Sequence, residues 1–294
     1  MQVKNTNDGT NNEPYLRCDI CASNVFDLPA FSTGPKGTER EILEGVKAAG
    51  IQGVQDANAD LCRELGLGVT GSHRVNLVGE IGPVAAKAKA EGRECLTLHV
   101  GWGMESEAGT FRLVEDVLTT SEKYDLPLYI ESHRSTITQD IWRTVEIVKK
   151  FPEIRFNGDF SHWYTGLEMV YGGYENKAAF LAPVFERTRF IQARIGNSGN
   201  IQVDIGDGKD RVYVDHFKDM WTRSFAGFLA SAQPGDYFCF APELLSPTHN
   251  YARLIKNAEG EWVEEGDRWQ QALLYLDLAR ECFAQAKANV VHQG

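Results

Sequence analysis

The sequence lacks the features that would place the protein in a membrane or on a nucleic acid. No apolar run approaches the roughly 20 residues that a transmembrane helix needs. Residues 1–14 are polar and lack the apolar centre of a secretory signal, so we expect a cytoplasmic protein. Basic residues are in the minority, because 30 Lys and Arg face 41 Asp and Glu, for a net charge of −11. Long-range repulsion therefore argues against a nucleic-acid backbone or an anionic membrane as a partner.

Cysteine is also scarce, and its arrangement does not indicate disulfides or a structural zinc site. The six cysteines are scattered along 294 residues. In a chain of this length without a signal, we expect them to be reduced and buried. Cys18 and Cys21 have the spacing of a zinc or redox pair, but no second Cys/His pair at zinc spacing accompanies them. Since both fall within a predicted strand, we interpret them as core residues.

What the sequence does contain is a regular alternation of short apolar runs with longer amphipathic stretches. Strands are predicted at residues 16–22, 53–56, 68–70, 95–100, 128–131, 154–159, 190–195 and 237–240. Helices are predicted at residues 38–49, 59–65, 80–91, 110–124, 139–150, 176–187, 214–232 and 268–288. Long loops are expected at residues 165–175, 196–210 and 244–267.

Eight βα units in a chain of this length favour a closed parallel barrel over an open doubly wound sheet. No G-x-G-x-x-G follows the first predicted strand, as a dinucleotide-binding fold would require. The predicted class is therefore α/β, a single (β/α)8 TIM barrel over residues 15–290, with its long βα loops at the C-terminal rim. Residues 1–14 are predicted to form a disordered polar tail.

Polar residues that follow the predicted strands should converge, because all strands of a parallel barrel end at one face. Glu131, Asp159 and Glu243 close the fifth, sixth and eighth strands. Three neighbouring carboxylates would repel each other and be driven toward protonation unless a cation neutralised them. Oxygen ligands indicate Mg²⁺ or Mn²⁺, and Co²⁺ would also fit. For any one of these acids alone, a helix cap or an ion pair with a barrel arginine is an equally good interpretation.

The same rule gathers further polar side chains at the rim. It brings five of the seven histidines to this face, and His133 and His162 are open to a second interpretation as buried histidines bonded to the backbone. The full set beside the three acids is Asp56, His73, His99, His133, Arg134, His162, Trp163, Gln192, Arg194 and His249.

Four segments in the second half of the chain carry a family resemblance. They read Y-I-E-S-H-R at 129–134 with D-I-W-R-T at 140–144, N-G-D-F-S-H-W at 157–163, I-Q-A-R-I-G at 191–196, and A-P-E-L-L-S-P at 241–247. In this order and spacing they resemble the xylose isomerase-like TIM-barrel superfamily, and within it the bacterial sugar phosphate isomerase/epimerase proteins. The first half of the chain matches only by its βα rhythm.

The resemblance implies a divalent metal held by Glu131, Asp159 and Glu243, with Gln192 where relatives place a histidine ligand. An amide oxygen at this position favours Mn²⁺ or Mg²⁺ over Co²⁺ or Zn²⁺. It also leaves open a non-catalytic, sugar-binding barrel. The residues expected to contact the substrate are His99, His133, Arg134, His162, Trp163 and Arg194.

By the same analogy, Glu131 and Glu243 would flank a substrate carbon next to a carbonyl, one removing its proton and the other returning it. This implies a sugar isomerase or epimerase that works through an enediolate. The alternative is a lyase or dehydratase acting on a keto-sugar or keto-glycoside, with His162 or His133 as the acid for the leaving group. The sequence leaves open which sugar binds, whether it is phosphorylated, and whether the chain forms a homo-oligomer.

Overall fold

The computed structural model describes residues 3–291 and contains a closed barrel of eight parallel strands. The strands are β1 (Tyr15–Cys21), β2 (Gly53–Gln55), β3 (Gly68–Val75), β4 (Leu96–Val100), β5 (Leu128–Glu131), β6 (Phe156–Asn157), β7 (Thr188–Ala193) and β8 (Asp236–Pro242). Each strand pairs with the next along the chain, and β8 pairs in parallel with β1. The predicted (β/α)8 barrel is confirmed.

Helices follow the strands and cover the outside of the barrel. Their bounds are Ala22–Val25, Glu39–Ala48, Ala59–Leu65, Ile81–Ala90, Glu107–Tyr124, Ile141–Lys150, Ser161–Gly166, Tyr174–Phe180, Ala182–Phe185, Val212–Leu229 and Arg268–Val291. Several begin at side-chain caps that the sequence supplies, such as the reciprocal capping box between Thr38 and Glu41. Among residues 3–291, no helix combines the length and apolarity that crossing a membrane requires.

Two predicted elements differ from the structure in an instructive way. The single helix expected at residues 176–187 is two short helices that meet at Leu181. Pro183 lies in the first turn of the second helix, where its missing N–H leaves no hydrogen bond unmade. The sixth strand is shorter than expected, because the register with β7 shifts between Phe156 and Asn157.

The N-terminal segment, expected to be a disordered tail, makes ordered contacts from residue 3 onward. Thr6–Asn7 pairs antiparallel with the start of β8, and the Thr6 N–H donates to the Tyr129 hydroxyl at 2.9 Å. The polar side chains form local turns; Asn7 Oδ1, for example, accepts from the Gly9 N–H at 2.7 Å. The low hydrophobicity that suggested disorder therefore reflects turn-forming residues, and the segment lies against the N-terminal end of the barrel.

The lower barrel interior contains an ion pair for which two neighbouring strands leave room. Arg17 Nε and Nη2 donate to Asp19 at 2.8 and 2.7 Å, and both side chains point inward from β1. A Cβ on Gly68 would lie 2.4 Å from Arg17 Nη1, and one on Gly53 would lie 2.6 Å from Asp19 Oδ1. All six cysteines are buried free thiols, as predicted.

The three long loops follow β6, β7 and β8 and therefore lie at the C-terminal rim. The first contains a short 3₁₀ turn at Met169–Tyr171. The third contains a small hairpin of Leu254–Lys256 and Trp262–Glu264. Arg268, at the start of the last helix, anchors that hairpin through a 2.8 Å ion pair with Glu264.

Gly227 offers a test of how closely the outer helices pack. A Cβ at this position would lie 2.4 Å from the Cα atom of Glu186 and 2.9 Å from the carbonyl oxygen of Phe185, neither of which can move away easily. We expect Gly227→Ala to lower the free energy of unfolding by roughly 1–3 kcal/mol, measured by urea denaturation.

Gly82→Ala is the matched control for this prediction. Gly82 lies in the helix Ile81–Ala90, and no atom lies within 4 Å of its Cβ position. There alanine should raise the free energy of unfolding by about 0.4–1 kcal/mol. Equal effects of the two substitutions would show that the contact at Gly227 is not tight.

Candidate active site

Four strand ends place polar side chains in one buried cluster at the C-terminal face. Glu131 ends β5, Asp159 follows β6, Gln192 is the penultimate residue of β7, and Glu243 follows β8. Glu131 and Asp159 are 1% and 0% exposed, and Gln192 is also buried. The parallel register places these strand ends side by side, so the structure brings together the four residues that the sequence proposed as metal ligands.

Amide side chains connect the carboxylates across the barrel. Asn157 Nδ2 donates to Glu131 Oε2 at 3.0 Å and also to Gln192 Oε1. Gln192 Nε2 in turn donates to Gln55 Oε1 at 2.8 Å and to Glu243 Oε1 at 3.2 Å. In this arrangement the amide oxygen of Gln192 is taken by Asn157. A metal at this oxygen would use its second lone pair.

Asn157 and Gln55 were not predicted as site residues, although each ends a barrel strand. Asn157 is the last residue of β6 and Gln55 is the last residue of β2. The strand-end rule that selected the acids would have selected them if uncharged polar residues had been included.

Arg194 bridges two of the carboxylates and does not point into open space. Its Nη1 atom lies 3.0 Å from Asp159 Oδ2, while Nη2 donates to Glu243 Oε2. Its Nε atom donates to the Glu243 carbonyl oxygen at 3.1 Å, and the side chain is almost fully buried. The Tyr251 ring, on the loop after β8, stacks 4.4 Å from the guanidinium carbon. In the ligand-free chain Arg194 is therefore held in an internal ion pair, and its expected contact with a substrate stays a prediction.

Three histidines form a row beside Glu131 and Asp159. The ring centres of His99 and His133 are 4.1 Å apart, and those of His133 and His162 are 3.8 Å apart. His99 Nε2 lies 2.8 Å from Glu131 Oε1. Burial opposes its charge, but the neighbouring carboxylate outweighs this and raises the pKa of His99. Burial and the two flanking histidines lower the pKa of His133 to about 2, and burial also lowers that of His162.

The buried charges do not balance. The carboxyl groups of the cluster are those of Glu131, Asp159 and Glu243. Among residues 3–291 these three carboxyl groups pair with Arg194, His99 and His162, and of the two histidines only His99 has a raised pKa. Burial, assisted by the Glu131 and Asp159 carboxylates, raises the pKa of Glu243 to about 8 in spite of Arg194. Arg194 and His162 outweigh burial at Asp159 and lower the pKa of that carboxyl. The uncompensated carboxylate is therefore Glu243, which needs either a proton or a further cation.

The donor set fits a divalent cation. Ligand atoms of Glu131, Asp159 and His162 lie within 4.8 Å of one another, as do those of His99, Glu131 and His133. Asp159 Oδ2 and both ring nitrogens of His162 are buried without a hydrogen-bond partner among residues 3–291. His162 Nε2 and Asp159 Oδ2 approach to 3.2 Å, but not in hydrogen-bonding geometry. Buried acceptors of this kind are costly unless a metal or water satisfies them.

The remaining predicted residues either lie exposed at the C-terminal rim or are buried beneath a rim loop. Arg134 is exposed, and its guanidinium carbon lies 5.2 Å from the centre of the Tyr251 ring. Trp163 is buried, and its Nε1 donates to the Thr138 carbonyl oxygen at 2.8 Å. It therefore supports the loop that carries His133, and its expected substrate contact stays a prediction. Tyr251 was missed because nothing in the local sequence links it to two arginines. The other residues of the rim set, Asp56, His73 and His249, are exposed outside this cluster.

Comparison with solved structures finds the same fold. A probable 3-DHS dehydratase from Bacillus anthracis, involved in petrobactin synthesis, matches with a TM-score of 0.53 at 14% identity, over 79% of this chain and 93% of its own. A xylose isomerase-like TIM barrel protein from Mycobacterium smegmatis, in complex with magnesium, matches with a TM-score of 0.53 at 10% identity, over 94% and 98%. The likeness shows that the chain has the (β/α)8 barrel fold of these proteins. No family profile and no curated protein sequence matches the chain. At these identities the likeness establishes the fold, and the chemistry must be argued from the residues.

Gln192 provides a test of the metal set. We expect the wild-type protein to retain about one divalent ion per chain, because a cation relieves the uncompensated carboxylate. Gln192→His should strengthen binding of Zn²⁺ or Co²⁺ relative to Mg²⁺, since imidazole suits those metals better than an amide oxygen. Elemental analysis and competition titrations measure both quantities. An unchanged metal preference would mean that Gln192 is not a metal ligand.

The pKa of Glu243 predicts a pH dependence of stability in the metal-free protein. The folded chain keeps a proton on Glu243 up to about pH 8, whereas the unfolded carboxyl loses it near its ordinary value of 4.5. The folded state binds more protons in this window, so its stability should fall as the pH rises through it. In Glu243→Gln this contribution is absent. The unfolding free energies of the two proteins are measured in chelator from pH 5 to 8. As the pH rises, the wild type should lose stability relative to Glu243→Gln.

Proposed function

We propose that the protein is a divalent-metal-dependent isomerase or epimerase that moves a proton on a carbon next to the carbonyl of a small sugar or sugar derivative. The observation that carries the proposal is the unlike environment of two neighbouring carboxyl groups. Glu131 accepts hydrogen bonds from His99 and Asn157, while Glu243 has its pKa raised to about 8. Two carboxyl groups in unlike environments are the basis of paired acid and base catalysis.

In this proposal Glu131 removes the proton and Glu243 supplies one. His99 and Asn157 contact the two carboxylate oxygens of Glu131 and fix their direction, so it suits the role of base. Glu243 is 19% exposed at its side chain and holds a proton near neutral pH, so it suits the role of acid. Removal of the proton gives an enediolate. A proton from Glu243 on the opposite face of the same carbon completes epimerisation; a proton on the neighbouring carbon, with the hydroxyl proton passing to the former carbonyl oxygen, completes isomerisation. Proton exchange with water then returns Glu131 and Glu243 to their starting states.

Glu131 and Asp159, with Gln192 through its amide oxygen, are the proposed metal ligands, and Glu243 would join them only after it has given up its proton. Mn²⁺ or Mg²⁺ suits these oxygens, and its chemistry would be to polarise the substrate carbonyl. His162, which the sequence assigned to the substrate, is a further candidate ligand because its ring nitrogens are buried and unbonded among the described residues. Arg134 and Tyr251 at the rim, with half-buried His133, are the proposed substrate contacts.

Elimination is the second candidate, and His99 is the observation that favours it. Expelling a group β to the carbonyl requires an acid for the leaving group. His133 and His162, proposed for this role from the sequence, have lowered pKa values and are poor proton donors at neutral pH. His99 has a raised pKa, and its side chain is 30% exposed beside Glu131. A dehydratase on this site would accordingly use His99. The Bacillus anthracis structure, a probable dehydratase, has the same fold.

Solvent-deuterium exchange tests the proposal without knowledge of the product. The Mn²⁺-loaded protein is incubated in D₂O with a panel of keto and aldo sugars and their acids, and deuterium uptake is followed by mass spectrometry. We expect Glu131→Gln and Glu243→Gln each to reduce exchange by roughly 10²- to 10⁴-fold, because an amide keeps the shape of the acid but cannot take a proton. Both variants should remain folded.

Glu175→Gln is the matched control, since Glu175 is an exposed acid on the helix Tyr174–Phe180 outside the cluster. It should exchange at the wild-type rate. A product lighter by one water, lost in His99→Gln, would identify the lyase. A wild-type protein that neither keeps metal nor exchanges any substrate proton would overturn the proposal and leave a sugar-binding barrel.

A further inference from the structure

A second cleft lies at the opposite end of the barrel and is rich in arginine. It has a volume of about 680 Å³ and is lined by Arg155, Arg187 and Arg189 together with the end of the helix Val212–Leu229. Arg155 precedes β6, Arg187 precedes β7, and Arg189 is the second residue of β7, so all three lie at the N-terminal face. That face is remote from the carboxylate cluster, and in barrel enzymes it usually serves stability.

Arg155 and Arg189 are buried without a counter-charge. They are 5% and 2% exposed, and neither forms an ion pair with an acid among residues 3–291. Burial and the neighbouring arginines lower the pKa of Arg155 to about 10 and that of Arg189 to about 9, so both stay protonated at neutral pH. Two buried, unpaired guanidinium groups are an unusual arrangement, because charge burial is costly without a partner.

The hydrogen bonds of the two buried arginines differ: Arg189 uses all its guanidinium nitrogen atoms as donors, whereas Arg155 does not. Arg189 donates from Nε to Asn5 Oδ1 at 2.7 Å, from Nη1 to two carbonyl oxygens, and from Nη2 to Ser231 Oγ at 2.9 Å. Arg155 donates only from Nη1, to the carbonyl oxygens of Glu153 and Ile154. Its Nη2 atom donates to no partner among the described residues, whereas its Nε atom is enclosed by the protein. Hydrogen bonds within the protein thus account for the burial of the Arg189 guanidinium. They do not account for that of Arg155.

Two acids line the cleft but neutralise it weakly. Glu186 pairs with Arg187 Nη1 at 3.2 Å, and its side chain is 65% exposed, so solvent screens the pair. Glu153 also lines the cleft, but its carboxylate makes no ion pair among residues 3–291. The helix end near Gly227 contributes only the partial negative charge of its last carbonyls. Gly227 keeps this wall close, because a side chain there would meet the Glu186 backbone.

We propose that this cleft is a binding site for a small phosphate dianion, either free phosphate or the phosphate of a small metabolite. Arg155 Nη2 and Arg187 Nη2, which donate to no group among the described residues, would donate to its oxygens, as guanidinium groups do in phosphate sites. The cleft volume falls within the range of small-ligand pockets, so a phosphorylated metabolite would fit as well as the free ion. The site is local, because the chain as a whole carries a net charge of −11 and repels anions.

The test is titration calorimetry of the intact chain with inorganic phosphate at pH 7.5, at an ionic strength held constant with sodium chloride. We expect saturable binding that Arg155→Gln or Arg187→Gln weakens about tenfold or more, the usual size of a lost hydrogen bond to a charged group. Glu186→Gln should strengthen binding about two- to fivefold, because it removes the competing carboxylate. A purely structural arginine cluster does not predict that gain.

Arg40→Gln is the matched control, since Arg40 is an exposed arginine whose only ion pairs are with Glu44 and Glu64 in the described chain. It should leave phosphate binding unchanged. Glycerol phosphate in place of phosphate separates the two sources: tighter binding of the ester indicates a phosphorylated metabolite, and tighter binding of phosphate indicates the free ion. If a substitution destabilises the fold, heat unfolding with and without phosphate still tests binding. Phosphate should raise the melting temperature of the wild type and leave that of Arg155→Gln unchanged. Absence of saturable phosphate binding, or equal binding by wild type, Arg155→Gln and Arg187→Gln, would overturn the proposal.

Discussion

The candidate site depends on one electrostatic constraint: a parallel barrel gathers three carboxylates in a buried mouth that supplies only two positive charges. Arg194 forms ion pairs with both Asp159 and Glu243, while His99 pairs with Glu131. Since one carboxylate is left over, the cluster must take up a proton or a cation. This shortage fits the site to a divalent metal, and in the metal-free chain it raises the pKa of Glu243.

Uncharged side chains hold this arrangement in place. The amides of Gln55, Gln192 and Asn157 cross the barrel between Glu131 and Glu243 and add no further charge. Below the rim, Thr138 Oγ1 donates to the Glu131 carbonyl oxygen at 2.5 Å and accepts from the His133 N–H at 3.1 Å. A buried hydrogen-bond network of this kind fixes the direction of each carboxylate, which proton transfer to a defined carbon requires.

The two ends of the barrel differ in the sign of their buried charge. The C-terminal end carries the carboxylates and the histidine row, whereas the N-terminal end carries Arg155, Arg187 and Arg189 beside the strand Thr6–Asn7. Between them the Arg17–Asp19 pair fills the interior, with glycines on the adjacent strands leaving space for it. An acidic chain can therefore present a basic cleft at one face while it concentrates carboxylates at the other.

The sequence by itself determined the barrel and the identity of the strand-end acids, because both follow from local information. Apolar periodicity marks the eight strands, and parallel topology brings Glu131, Asp159 and Glu243 to one face whatever their separation along the chain. It did not determine how those acids are paired. Three contacts depend on side chains from different strands and loops: Arg194 pairs with Asp159, Asn157 donates to the Gln192 oxygen, and Tyr251 stacks on Arg194. It also misjudged residues 3–14, whose polar side chains form turns only once the base of the barrel is there to pack against. Only the tertiary structure decided these points, because the direction of a buried polar side chain is set by the nearest available partner, and that partner is distant in sequence.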